Sequence, residues 1–223
     1  MNEALALLVS GDAETWGTIG RSLRFSLFST LFSLLPGIAL GIWMAGRESG
    51  PRRAAVAVVG ALTAVPTVVV GLVVYMLISR NGPLGGLGWL FAGPGIVIGQ
   101  TLLALPIVAS LVWSGLARLD PRFHETLATF GVRGARRLGA ILREGAPVMA
   151  GALVAAFGRV TGEVGVAMLL GGNIRFVTRT MTTAIALDAS MGDFGRALAF
   201  GLVLLFIALV VNFTVHIMRP HER

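Results

Sequence analysis

The 223-residue chain has no cysteine and no lysine. Without cysteine there is no disulfide, no thiolate nucleophile and no thiolate-held metal. Without lysine there is no nucleotide-binding loop of the Gly-x4-Gly-Lys-Ser/Thr type, which needs the ammonium at the phosphates. Any ATP used in its function must therefore be bound by another chain. Charge is scarce as well, at 13% of residues, against about a quarter in an average soluble domain. His124, His216 and His221 lack the spacing and the carboxylate company of a metal site.

Apolar residues fill the gap. They make up 55% of the chain, and the mean hydropathy is +0.83. Five runs are long enough for a bilayer, which needs about 20 residues. Phe25–Met44, Ala54–Ser79 and Gly95–Leu116 are uncharged; Ala146–Leu170 holds only Arg159 and Glu163; Ala197–Met218 holds only His216. Hydrocarbon cannot satisfy bare backbone groups, so these runs are expected to be helices. The expected spans are about 20–45, 54–79, 92–117, 146–170 and 196–218, in one transmembrane domain covering 1–223 with a long loop at 118–145. Pro36, Pro66 and Pro106 lie inside the first three runs and predict kinks. The 30 glycines suit close helix packing. The start, Met-Asn-Glu-Ala-Leu-Ala-Leu-Leu, reads as an amphipathic lead-in and not a cleaved signal.

The net charge of +7 comes from 18 arginines. They sit in short connectors and form no basic stripe on a soluble domain, which argues against a nucleic-acid partner. Arg47, Arg52 and Arg53 share one side with Arg118, Arg122, Arg133, Arg136, Arg137, Arg143, Arg219 and Arg223. The other side has Arg21, Arg24, Arg80, Arg175, Arg179 and Arg196. The richer side is expected to be cytoplasmic, which puts the N-terminus outside and the C-terminus inside.

Within loop 118–145, Asp120-Pro121 reads as a helix start and Gly131 as its stop. Phe123, Leu127 and Phe130 share one face of the helix between them. Such a face either docks in a groove of a cytosolic partner or packs back on the chain's own helix ends. Arg159 and Glu163, at i and i+4, can pair inside the fourth span. Either they face a pathway through the bundle or they fix its packing. The segment from Gly171 to Ser190 offers Arg175, Arg179 and several threonines, natural partners for an oxyanion; contact with an external protein, or plain solubility, is the simpler reading. Ser114-Gly115 has no membrane-embedded histidine to act as its base, so an intramembrane protease is excluded.

Glu125-Thr-Leu-Ala-Thr-Phe-Gly131, nine residues and then Ile141 resemble the "EAA" loop of permease subunits of ATP-binding cassette (ABC) importers. Thr126 and Leu127 replace the two alanines of that pattern, and Arg143-Glu144 stands where Leu-Pro is usual. Further stretches resemble the tungstate branch, related to molybdate and sulfate permeases. They are Val65-Pro-Thr-Val-Val-Val-Gly71, Leu77 to Gly85, Gln100 to Ala109, Gly158-Arg-Val-Thr-Gly-Glu-Val-Gly165, Gly171-Gly-Asn-Ile174 and Thr180-Met-Thr-Thr-Ala-Ile185.

The resemblance implies an all-α membrane protein of the type I importer permease fold, lying in the cell inner membrane. It implies a coupling helix on which an ATPase subunit sits, with Asp120, Phe123, Glu125, Leu127, Phe130, Gly131 and Ile141 as coupling residues. It implies a homodimer, two cytosolic ATPase chains that carry the ATP and Mg, and an extracytoplasmic oxyanion-binding protein. Pro66, Arg159, Glu163, Thr182 and Thr183 are the candidates for the translocation path. The cargo expected is tungstate, with molybdate or sulfate as alternatives. An ATP-independent channel or secondary transporter is the competing class; it has no use for a coupling loop.

Overall fold

In a computed structural model, residues 2–46, 49–119 and 121–218 are described; they form α-helices with one 3-10 turn, and no strand occurs among them. The expected position of Asp120 as helix cap lies outside the described residues. A short α1 (Asn2–Val9) leads into α2 (Ala13–Met44). Asp12 caps α2 by accepting from the Thr15 amide at 2.8 Å and the Thr15 hydroxyl at 2.7 Å. Those bonds hold its carboxyl below the usual carboxylate range. At 32 residues α2 is about 48 Å long, well beyond the ~30 Å hydrocarbon core.

Helix α5 (Gly93–Ala117) is the hub. Its Ala104, Val108, Val112 and Leu116, four residues apart, meet Met149, Ala152, Ala156 and Val160 of α8 (Ala146–Thr161). On another side it lies against α2 so closely that side chains are excluded. A Cβ on Gly37 would stand 2.8 Å from Val108 Cγ1, and one on Gly41 would stand 2.7 Å from Val112 Cβ and 2.9 Å from the Ala109 carbonyl oxygen. Gly37-x3-Gly41 is thus a small-x3-small seam.

The three prolines behave differently. Pro36 and Pro106 sit within unbroken α2 and α5. The run 54–79, expected to be one helix, is two: α3 (Gly50–Thr63) and α4 (Thr67–Ile78), at 97° across Ala64-Val65-Pro66. The residue before proline is pushed out of the α region. Around Pro36 and Pro106, packing overrides that push. On α3 only Val59 is buried, in a small cluster with Met44 and Ala109.

The fourth expected span also departs from a single rod. α8 ends at Thr161, Gly162 to Val164 is non-helical, and α9 (Gly165–Gly171) follows. Loop 118–145 contains two helices, α6 (Pro121–Thr129) and α7 (Gly134–Glu144), and α7 makes a 62° bend with α8. A further helix, α10 (Met181–Ser190), precedes α11 (Phe194–Met218). Three helices, α2, α5 and α11, are long and apolar enough to cross a membrane, and five spans result if each bent pair counts as one. Leu205, Phe206, Leu209, Phe213 and Ile217 leave most of α11 uncovered, as a lipid-facing helix requires.

Gly41→Ala drives a methyl into Val112 and the α5 backbone, and overpacking of this kind costs about 1–3 kcal/mol. Thermal unfolding in detergent is expected to show a lowered Tm. Gly60→Ala on α3, where a Cβ meets nothing within 4 Å, is expected to leave Tm unchanged or slightly raised.

Candidate translocation and coupling sites

The break after α8 is where the candidate pathway residues gather. Arg159 Nη1 donates to Glu163 Oε2 at 2.9 Å. The Glu163 carboxylate is buried, and its Oε1 accepts the amides of Gly165 at 2.9 Å and Val166 at 3.3 Å. One carboxylate thus satisfies the bare start of α9 as well as the guanidinium. The Glu163 carbonyl, freed by the break, accepts the Thr182 hydroxyl from α10 at 2.9 Å.

Gly165 packs against the start of α4. A Cβ there would lie 2.9 Å from Val68 Cγ2, 3.2 Å from Thr67 Oγ1 and 3.3 Å from Glu163 Oε1. The two helix breaks, at Pro66 and at Glu163, therefore meet. Irregular backbone at membrane depth persists where it is enclosed by protein or lines a water-filled cavity. Arg159 is not enclosed: its side chain is 49% exposed, although it sits in an apolar helix.

Thr183 plays another part. Its hydroxyl accepts from the Thr180 amide at 3.0 Å, and the Thr180 hydroxyl accepts from the Thr183 amide at 3.4 Å, a reciprocal cap on α10. The Met181 amide donates to Ser22 Oγ at 2.7 Å, which ties that cap to α2. Pro66 itself is exposed and supplies the bend.

A second polar centre had no sequence signal pointing to it. Buried Glu14 on α2 accepts from Arg175 Nε at 2.7 Å, from Arg196 at 3.1 Å and from Arg179 at 3.4 Å, and Arg175 Nη2 contacts its other oxygen. These bonds raise the Arg175 guanidinium above its ordinary value. Arg179 also donates to Asn173 Oδ1 at 3.2 Å. The arginines of the 171–190 segment are thus joined to the start of α2 and the start of α11, a structural use that the sequence reading of that segment did not contain. The partners lie 161 or more residues from Glu14, beyond any spacing rule.

The other end of the bundle carries α6 and α7. Phe123 and Leu127 are half-buried, while Phe130 is 79% exposed just past the end of α6. Gly131 turns the chain with φ +65°, and the Val132 amide closes on the Leu127 carbonyl at 2.9 Å. Glu125 lies on α6. Ile141 of α7 packs against the α5–α8 core and anchors this end to the spans. Among the described residues no group of three or more His, Asp or Glu could hold a metal ion.

Residues 37–223 match the model of the "binding-protein-dependent transport system inner membrane component" family. This chain belongs to that family. The permease is 36% identical, over 96% of its length and 90% of the relative's, to the tungstate uptake system permease protein of Campylobacter jejuni. It is 35% identical to the tungstate uptake permease of Peptoclostridium acidaminophilum, with 96% and 93% covered. The sulfate transport permease of Escherichia coli is 27% identical, with 87% of the permease and 71% of the relative covered. In fold it resembles a chain of the bacterial alginate ABC transporter solved with a periplasmic protein, at a TM-score of 0.66 and 19% identity, covering 95% of the permease and 80% of that chain. The permease is a multi-pass inner membrane subunit of a transport system, with the fold of an ABC transporter permease.

Glu14→Ala strands Arg179, whose side chain is only 16% exposed, and is expected to cost about 2 kcal/mol or more. Arg175→Ala removes a partner that is 57% exposed and is expected to cost less than Glu14→Ala. Unfolding midpoints of the two variants in one detergent give the order.

Proposed function

We propose that the permease is the membrane subunit of an ATP-driven importer of tungstate. Two copies enclose the pathway. Two cytosolic ATPase chains, which bind ATP and Mg, dock against α6 and its end at Phe130. An extracytoplasmic binding protein delivers the oxyanion to the opposite face, where the N-terminus lies, and the C-terminus is cytoplasmic. The observation that carries the cargo is the gap between 36% and 35% identity to tungstate uptake permeases and 27% to a sulfate and a molybdenum permease.

The geometry supports a division of labour. A guanidinium half-exposed within an apolar helix is costly against lipid, so Arg159 belongs on a face turned to a pathway or to the second copy. Its charge is countered by Glu163, so it can meet a dianion without presenting a bare cation that would trap it. The two helix breaks that meet beside it put non-helical backbone where a pathway can change shape. At the other end, exposed Phe130 and the left-handed turn at Gly131 form a projection that a groove in an ATPase can grip. Ile141 and the 62° bend into α8 connect that projection to the helix that ends in Arg159. A push on α6 and α7 is therefore transmitted to the candidate gate through one continuous stretch of chain.

Proteoliposomes carrying the permease with its ATPase and binding protein are expected to take up tungstate only with ATP, and in preference to molybdate and sulfate. Uptake without nucleotide, or preference for another oxyanion, overturns the reading. Arg159→Leu is expected to lower uptake roughly tenfold or more while the ATPase still co-purifies. Gly131→Val, which forces a β-branched residue into a left-handed turn, and Phe130→Asp are expected to abolish ATP-driven uptake while the permease still inserts and keeps its Tm in detergent. Wild-type uptake in both would remove the coupling role from this segment.

A further inference from the structure

A groove of about 760 Å³ opens on the outer surface of the bundle, between the first half of α2 and the start of α5. Phe25, Phe28 and Phe32 form one wall; Val97 and Ile98 form the other. Trp89, just before α5, closes one end, and Arg21 and Arg24 stand at that same end. Among the described residues no carboxylate lines it.

Three features of this groove point to the same occupant. The first is depth. The uncharged stretch of α2 begins at Phe25, directly after Arg24. It is 20 residues long, about the thickness of the hydrocarbon core, so Arg21 and Arg24 sit at headgroup level. Below the arginines the apolar wall runs from Phe25 to Phe32, seven residues or about 10 Å along the helix, which lies within the roughly 15 Å of one leaflet's hydrocarbon. Trp89 at the same level is an interfacial anchor residue.

The second feature is uncovered apolar surface. Phe28 is 48% and Phe32 63% exposed, and Phe176 and Val177, at the charged end, are 60% and 53% exposed although they lie in a loop. The third is unspent charge. Arg21 gives Nε to the Arg179 carbonyl and Nη2 to Thr18 Oγ1, which leaves Nη1 without a hydrogen-bond partner among the described residues. Arg24 is exposed and, unlike Arg175, Arg179 and Arg196, has no ion pair among the described residues. Two guanidinium groups with donors to spare, over an apolar trough that stays within one leaflet, match a phosphate ester with an acyl chain beneath it.

We propose that this groove is a binding site for one anionic glycerophospholipid, with the headgroup phosphate between Arg21 and Arg24 and an acyl chain along Phe25, Phe28 and Phe32. The site is separate from the Arg159–Glu163 junction and from α6, and it holds whatever the cargo. A lipid seated there bridges α2, α5 and the 176–177 loop, and so braces the region that Glu14 also ties together.

The test uses the full-length permease in mild detergent, read by native mass spectrometry and thermal unfolding. With added phosphatidylglycerol the permease is expected to retain about one lipid per chain and to gain Tm. Phosphatidylcholine of the same chain length is expected to bind at least roughly tenfold more weakly, as the loss of a charge-assisted pair implies. Inorganic phosphate without an acyl chain is expected to give no shift; a shift of equal size would make this a free-anion site and overturn the lipid assignment. Arg24→Gln is expected to erase the preference for phosphatidylglycerol with the lipid-free Tm unchanged, since Arg24 has no ion pair to lose. Val97→Trp, which fills the trough and leaves both arginines in place, is expected to lower retention of both lipids. Equal retention of the two lipids by the unaltered permease, or an undiminished preference in Arg24→Gln, overturns the proposal. So does efficient disulfide formation between copies carrying Phe28→Cys in this cysteine-free chain, because a second copy would then fill the groove.

Discussion

Hydrocarbon offers the backbone no hydrogen bonds, and every irregular feature of this bundle answers to that constraint. Where the chain leaves the helix inside an apolar run, something in the protein must take over the freed groups. At the break after α8, Glu163 takes two amides of α9 and the Arg159 guanidinium, and Thr182 reaches across from α10 to the freed carbonyl. At the start of α10 the reciprocal Thr180–Thr183 cap and Ser22 do the same. Some hydroxyls along α2 return to their own helix, Ser22 to the Thr18 carbonyl and Thr30 to that of Ser26, while Ser29 also reaches the Val97 carbonyl and Gln100 Oε1 of α5. The polar residues of the membrane region are mostly spent in this way; Arg159, though paired with Glu163, stands apart because its side chain is 49% exposed.

The apolar packing follows a different logic. Lipid tails are as apolar as leucine, so helices gain little from simply hiding from solvent and must fit closely. The Gly37–Gly41 seam brings α2 against α5 at backbone distance, and α5 in turn holds α8 through its four-residue ladder. Helix α11 meets α8 in a similar fit, where a Cβ on Gly158 would stand 2.6 Å from Val211 Cγ1, but both α11 and α3 keep broad uncovered faces. The bundle is closely packed around α5 and open at its margins, where a second copy, lipid or an ATPase can lie.

Much of this was legible in the residues. The uncharged runs implied helices at α2, α5 and α11 because length and apolarity alone decide whether a segment can cross. The amphipathic triad Phe123, Leu127 and Phe130 and the stop at Gly131 predicted α6, since both rest on local periodicity and backbone sterics. The Arg159–Glu163 pair was visible as an i, i+4 spacing. The effect of each proline was not visible. Pro36, Pro66 and Pro106 look alike in sequence, and only the packing around each determines whether the helix runs on or turns through 97°. The assignment of Arg175 and Arg179 to an exposed loop overlooked Glu14, because no local rule connects residues more than 150 positions apart.

By itself the sequence determined the solvent this protein lives in, the lack of a lysine-bearing phosphate loop and the places where helices must form, because hydropathy, residue identity and period are properties of short stretches. Only the tertiary structure decided that the breaks at Pro66 and Glu163 meet, that Glu14 gathers three arginines, and that Arg21 and Arg24 stand at the mouth of an apolar groove. Those are facts of distance between segments far apart in the chain. They come from the few close fits that a bundle without a hydrophobic driving force allows.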